Sequence, residues 1–376
     1  MPTWAVPLAD VLFTEDDIAA VADVYRSGWL SMGPATAALE EEFAGYVGAA
    51  HAVAVTNGTA GLHLICHAVG LGSGDEVIAP SLTFVASVNA IRYTGATPVF
   101  GEIAALDRPW LSTSATEALI GPRTRAIMAV AYGGHAGEID ALRTLAARYG
   151  LVLLEDAAHA AGSRLRGRHL GTFGAASAFS FFSNKNLAVG EGGMVVTDDA
   201  EIAARVRLLR SHGMTSLTWD RHRGHATGYD VVALGFNYRI DEPRAALARR
   251  RLARLDEENT RRAALDARYR DALAGVPRLR PALPPLTGLS AAHHLFTVVL
   301  DDAVDRPAVR EALARRGVQT SVHYPPVHRF SIYLDRAAEL PLTEAYGRRA
   351  MTLPMWSGMT DGQQNLVIQA LTDALR

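Results

Sequence analysis

The sequence predicts an α/β protein whose larger part is a mainly parallel, seven-stranded sheet with helices packed on it. Three observations carry this expectation. From His51 onward, short apolar runs of strand length alternate with helical stretches, the order in which parallel sheets are wound. At 376 residues the chain is too long for one simple core, so a large domain with a smaller companion is expected. A hydrophobic content of 49% with 20% charged residues describes a soluble globular chain.

Taken in order, Thr14 to about Arg26 shows helical apolar spacing at Ile18, Val21, Val24 and Tyr25, with Thr14 as cap and acidic residues after it. A turn-rich loop, Ser27 to Pro34, precedes a second helix from Ala35 to Val47. Ala52–Thr56 reads as the first strand, and Asn57-Gly58-Thr59 as the turn opening a helix through Val69. Further strands are expected at Glu76–Ala79, Thr97–Phe100, Arg125–Val130, Leu151–Glu155, Ser177–Phe181 and Met194–Thr197. Helices are expected at Phe84–Tyr93, Ile139–Tyr149 and from Asp199 to about Ser211.

Met214 to Val231 is polar and aromatic, with Trp219, Arg221, His222, Arg223 and His225, and reads as a long functional loop. One long helix is expected from Glu242 to Leu273, its Arg249–Arg254 stretch a solvated face. Strands at Leu295–Leu300 and Gln319–Val322, with helices at Arg306–Arg316 and Asp361–Leu375, then describe a smaller α+β domain. The chain thus divides into residues 1–240, N-terminal helices plus large α/β domain, and residues 241–376, the small domain.

Composition excludes several classes. A net charge of −2 gives no positive excess to meet phosphates, so nucleic acid is not an expected partner. Cys66 stands alone, which rules out an intrachain disulfide and fits a reducing cytoplasm. The N-terminal stretch lacks the pattern of a signal peptide. No window reaches the roughly 18 apolar residues of a membrane span, so a cytoplasmic chain without membrane partners is expected.

One residue then stands out: Lys185 is the sole lysine, the other 36 of the 37 basic residues being arginine. Arginine keeps its proton in a protein, whereas a lysine amine can release it and attack carbonyls to form Schiff bases. Lys185 lies in Phe179-Ser-Phe-Phe-Ser-Asn-Lys185, where alternation carries a strand out of the core and delivers Ser180 and Lys185 to its end. Gly190-Glu-Gly-Gly193 comes next as a loop of unusual dihedrals or close backbone approach. Asp156, in Leu153-Leu-Glu-Asp-Ala-Ala-His159, falls at the carboxyl end of an apolar strand, where ligands bind in open α/β sheets. A carboxylate there can keep a pyridine nitrogen protonated; capping a helix is its plainer use. At Asn57-Gly-Thr59, small residues let backbone amides at a helix N-terminus approach a phosphate, although the same residues also make an ordinary turn.

Together the phosphate cradle, the strand-end Asp and the lone Lys describe a pyridoxal 5'-phosphate (PLP) site. At these residues the chain resembles the DegT/DnrJ/EryC1/StrS family of PLP-dependent sugar aminotransferases, which have the type I aminotransferase fold. The likeness also runs through Gly74-Asp-Glu-Val-Ile-Ala-Pro-Ser-Leu-Thr-Phe-Val-Ala-Ser87 and Gly235-Phe-Asn-Tyr-Arg239. The resemblance implies that Lys185 is the catalytic, cofactor-bearing lysine and Asp156 the ring-nitrogen partner. By the same resemblance Gly58, Thr59 and Ser180 bind phosphate, Phe84 stacks on the ring, and His159 lies near the cofactor hydroxyl. Asn237 matches an asparagine that reaches the phosphate from the other subunit, which implies a homodimer with shared sites. His323 and Tyr324 match positions near the sugar.

The activity implied by the resemblance is amino transfer to a nucleotide-linked keto-deoxy sugar, with L-glutamate as donor and 2-oxoglutarate as its product. Lys185 in place of histidine favours amino transfer over dehydration, and the Glu-Asp-Ala-Ala-His form is similar to 4-aminotransferases. A cyclitol ketone as acceptor, an aromatising relative and a noncatalytic PLP-binding homologue are the alternatives. Pro243 and Arg244 depart from the family's usual Leu or Ile and Gln.

Four other features read more plainly. Gly70-Leu-Gly-Ser-Gly74 comes after a helix and before a strand, the wrong order for a dinucleotide loop, so a C-cap and turn is expected. His63 and His67 are four apart on one helix, yet no third ligand accompanies them, and helix packing is expected; no metal is. Arg221 to His225 would suit diphosphate oxygens or plain solvent equally well. Arg239 would serve a substrate carboxylate or a structural one.

Overall fold

The computed structural model describes residues 4–216, 219, 228–336 and 338–376. The arginine- and histidine-rich stretch from Arg221 to His225 lies outside the described residues.

Two helices come first. α1 (Glu15–Ser27) starts at a capping box in which Thr14 and Asp17 bond each other's backbone amides. α2 (Pro34–Val47) starts at a buried carboxylate instead: Glu242 accepts from the N–H groups of Gly33, Ala35 and Thr36. Then come β1 (His51–Val55), α3 (Gly58–Ala68), β2 (Glu76–Pro80), α4 (Val85–Tyr93), β3 (Thr97–Gly101), α5 (Thr113–Ala118), β4 (Thr124–Val130) and α6 (Ile139–Tyr149). Next are β5 (Val152–Asp156), the short β6 (Arg164–Leu165) and β7 (Arg168–His169), β8 (Ala176–Ser180), β9 (Gly193–Thr197) and α7 (Ala200–Arg210).

Seven of these strands form one sheet in the order β1-β9-β8-β5-β4-β2-β3. All pairings are parallel except those of β9, which runs against both β1 and β8. The mainly parallel seven-stranded sheet is therefore as expected. Strand period two sends alternate side chains to opposite faces. Ile127, Leu153, Phe179 and Met194 join one core with Phe43 of α2 and Leu142 of α6. Ala126, Leu154, Ala178 and Val195 join the other with Leu64 of α3 and Ile91 of α4. Phe43, Phe179 and Phe181 touch ring to ring and are fully buried, each contributing roughly 2–3 kcal/mol of transfer free energy.

The remainder comprises α8 (Glu242–Leu252), α9 (Leu255–Leu273), β10 (Leu279–Pro281), β11 (Leu289–Ser290) and β12 (Phe296–Leu300). After them come α10 (Arg306–Arg315), α11 (Pro341–Arg349), β13 (Ala350–Leu353) and α12 (Asp361–Ala374). β10, β12 and β13 form a three-stranded sheet over a separate core that includes Leu265, Val309, Leu371 and, from the N-terminus, Val6. Among the described residues no helix is long and apolar enough to cross a membrane.

Four expectations need correction. The single helix from Glu242 to Leu273 is two, broken at Ala253 and Arg254, where Arg254 turns to pair with Asp17 and Arg251 with Glu258. The arginine stretch is only in part a solvated face: Arg249 and Arg250 make surface pairs with Glu42 and Asp16, but Arg251 is buried. Gln319–Val322 is not a strand, because its amides turn to different partners, Gln319 to Val6 and Ser321 to Thr352. The apolar residues Ile18 and Tyr25 of α1 are exposed, and the residue that helix buries is Asp17.

Candidate active site

The carboxyl ends of β1, β2, β5 and β8 open onto one cavity of about 720 Å³. Strand polarity makes it so: in a parallel sheet these ends lie along one edge. Gly58, Thr59, Phe84, Asp156, His159, Ser180, Lys185, His323 and Tyr324 all line it. Asn237 does not; it is exposed and pairs with Ser211 in an isolated bridge. Arg239 also lies outside the lining, partly buried beside Arg210, with its Nη1 lacking a hydrogen-bond partner.

At one end of the cavity, Asn57 caps α3 and takes the amides of Ala60 and Gly61 through its side chain and carbonyl. The helix has no carbonyl for its first amides, which leaves those of Gly58 and Thr59 at the cavity wall. Gly58 has to be glycine, since a Cβ there would come within 2.9 Å of the Ser180 Cβ. The Ser180 hydroxyl completes this corner.

Opposite in character is Asp156, the last residue of β5 and buried. Its Oδ1 accepts from the Ala158 amide at 3.0 Å and its Oδ2 from the Ser87 hydroxyl at 2.6 Å. Burial pushes its carboxyl above the usual range, against the pull of Ser87, Ala158 and the Lys185 charge. Its hydrogen bonds come from a hydroxyl and an amide rather than a cation, so a cationic ring N–H suits it. The neighbouring Glu155 is taken up differently, by the amides of Gly171, Phe173 and Gly174.

Lys185 sits on the 181–192 loop between β8 and β9, a hairpin closed by the Ser180–Gly193 pair. Burial pushes its amine down to about 8, with Asp156 opposing. Three imidazoles, His159, His294 and His323, are held well below their usual value by burial, with Lys185 also disfavouring their charge. The Gly133 amide donates to Nδ1 of His159, which places the ring proton on Nε2, 3.1 Å from the Tyr324 hydroxyl. His294 packs 4.2 Å from the His159 ring, ring centre to ring centre, and bonds Asn186. Phe84 lies 5.7 Å from Tyr324 by the same measure, so aromatic surface flanks the cavity.

Chemically, the lining joins amide donors for a phosphate, a carboxylate for a ring nitrogen, an amine of lowered basicity for an aldehyde, and an aromatic face. This donor set fits pyridoxal phosphate. Sequence reasoning missed Ser87, Tyr93, Asn184 and Tyr238 at or behind the wall. The only signal for them was proximity to residues already chosen, Ser87 standing one helical turn after Phe84. Arg244 now has a place: it pairs with Asp241 and reaches the Glu191 carbonyl on the lysine loop.

His63 and the Gly70–Gly74 turn have the plain roles expected of them, whereas Arg239 pairs with no carboxylate among the described residues. His63 packs against Phe236 and bonds the Tyr238 hydroxyl, while Gly70 and Gly74 take the positive φ values of a turn.

A family model described as the DegT/DnrJ/EryC1/StrS aminotransferase family matches residues 12–372. DesV of S. venezuelae, solved in complex with a ketimine intermediate, is 40% identical, with 96% of this chain and 95% of that one covered and a TM-score of 0.89. DesI, solved in the presence of its TDP-sugar product, is 35% identical over 100% of this chain and 94% of that one, with a TM-score of 0.89. Spr1654 of Streptococcus pneumoniae, solved in a PLP-form, is 27% identical over 98% of both chains, with a TM-score of 0.92.

Proposed function

The chain belongs to the DegT/DnrJ/EryC1/StrS aminotransferase family, whose members are PLP-dependent, and from that premise we propose that it aminates a nucleotide-linked keto-deoxy sugar. L-glutamate is the proposed donor, and the 4-position the preferred site of the new amine. The observation that carries the reading is the gathering of Lys185, Asp156, Gly58, Thr59, Ser180 and Phe84 on one cavity. The TDP-sugar product named for DesI supports the acceptor class.

Pyridoxal phosphate, when bound, supplies an electron sink through its ring. The work of this chain is to hold it and move protons around it. The Gly58 and Thr59 amides and the Ser180 hydroxyl bind the phosphate, the α3 N-terminus adding a favourable dipole. Asp156 accepts the ring N–H and keeps it protonated. Phe84 would supply an aromatic face for the ring, and His159 would lie beside the ring hydroxyl. Lys185 Nζ, buried and of lowered basicity, is the amine that would hold the cofactor's aldehyde carbon. When unprotonated, the same amine would take a proton from the donor α-carbon and return one to the carbon that receives nitrogen. His323 and Tyr324 face the sugar.

The proposal extends to a homodimer, Asn237 of each subunit completing the phosphate site of the other. Its exposure outside its own cavity, beside exposed Val231, Val232 and Leu234, supports this. The division at residues 240 and 241 belongs to the same reading: the seven-stranded sheet lies before it and the β10-β12-β13 sheet after it.

The test is the visible spectrum of the purified protein with L-glutamate, then with a panel of keto-sugar nucleotides and cyclitol ketones. Glutamate should convert the cofactor band and one sugar nucleotide restore it, whereas Lys185→Ala should fold and bind cofactor yet turn over neither. A band indifferent to every amino donor, or turnover by the variant, would overturn the reading.

A further inference from the structure

We propose that Ser87, backed by Thr83, is a positioning residue for Asp156, its hydroxyl fixing the orientation in which the carboxylate meets the cavity. This rests on the reading of Asp156 as the partner of the cofactor's ring nitrogen.

The direction of the hydrogen-bond chain is set by what each group can do. Ser87 is fully buried, with Oγ 2.6 Å from Asp156 Oδ2, 2.7 Å from Thr83 Oγ1 and 3.3 Å from the Phe84 carbonyl. A carboxylate only accepts, so the single Ser87 proton goes to Asp156, the shorter and charge-assisted contact. The Thr83 hydroxyl then donates to Ser87 Oγ. With Ala158 donating to the other oxygen at 3.0 Å, the carboxylate cannot turn about its Cβ–Cγ bond without losing a partner.

Ser87 reaches Asp156 across β4, since β2, which leads into α4, and β5 are separated by that strand. The same helix start carries Phe84 to the cavity, so one turn of chain sets both the aromatic face and the acid. Electrostatics agree: among the groups opposing the effect of burial on Asp156, the Ser87 bond comes first, ahead of the Ala158 amide and Lys185. The other titratable group facing this carboxylate is Tyr324.

The experiment titrates apoprotein with pyridoxal phosphate across mildly acid to neutral pH, for wild type, Ser87→Ala, Thr83→Val and Asp156→Asn. Ser87→Ala should bind roughly tenfold more weakly, the loss of one charge-assisted hydrogen bond. The pH below which affinity falls should also rise, because the carboxyl then protonates earlier. Thr83→Val, nearly isosteric, should move both readouts the same way by less.

Wild-type affinity and pH dependence in Ser87→Ala, with Asp156→Asn impaired, overturns this inference alone. An unimpaired Asp156→Asn overturns the Asp156 reading and this inference with it. Should Ser87→Ala not fold, an unmoved Thr83→Val is the overturning result.

Discussion

Single residues carry most of what the sequence discloses about chemistry. That Lys185 and Asp156 meet on one cavity could be anticipated because residue type itself singles them out: the sole lysine of a chain otherwise basic through arginine, and an acid ending an apolar strand. A measurable consequence attaches to the first. Attack on an aldehyde needs an unprotonated amine, and burial has brought Lys185 down to about 8. Apoprotein should therefore take up pyridoxal phosphate faster as pH rises toward 8 and level off above it, monitored by absorbance in stopped flow. A rate still climbing toward the ordinary lysine value of about 10.4 is the contrary result. Ser87 was not legible, because a serine in a helix's first turn carries no periodic or compositional signal. What pairs it with Asp156 is the strand order, which places residues 69 apart in sequence 2.6 Å from each other.

Elements were read well where local rules decide them and poorly where neighbours do. The α1 cap was foreseen because Thr14 and the acids after it suffice to make it. Which face of α1 would be covered was not, since covering depends on Arg254 arriving from the junction of α8 and α9. That ion pair ties α1 to α8 and α9. Burial raises the Asp17 carboxyl, but the Arg254 and Thr14 contacts outweigh it and bring it down to about 2. A carboxyl so lowered stabilises the fold above its ordinary range near 4, and the contribution fades as pH falls toward 2. Asp17→Asn should cost about 2 kcal/mol in urea unfolding at neutral pH, with the gap to wild type narrowing in acid. A gap unchanged by acid would assign the loss to packing instead.

At the scale of the whole molecule, the sheet was readable because strand and helix alternate along the sequence, yet the reversal of β9 was not. Gly193–Thr197 looks the same in either direction; what decides is the connection before it, residues 181–192, which holds no crossover helix. Quaternary structure offers a sharper test. If Asn237 serves the other subunit's site, mixing Lys185→Ala with Asn237→Ala should regenerate about a quarter of wild-type turnover at full subunit exchange, each mixed dimer having one intact site. No recovery, with exchange verified by mass, would place Asn237 in its own subunit's chemistry. The reversed strand has a mechanical consequence as well. A lysine borne on a hinged segment can be ferried by its backbone, but the loop that carries Lys185 hangs from the two ends of a single rung, Ser180 paired with Gly193. Its amine is on a leash pegged at both feet, and whatever travel the reaction demands is left to the aliphatic stem.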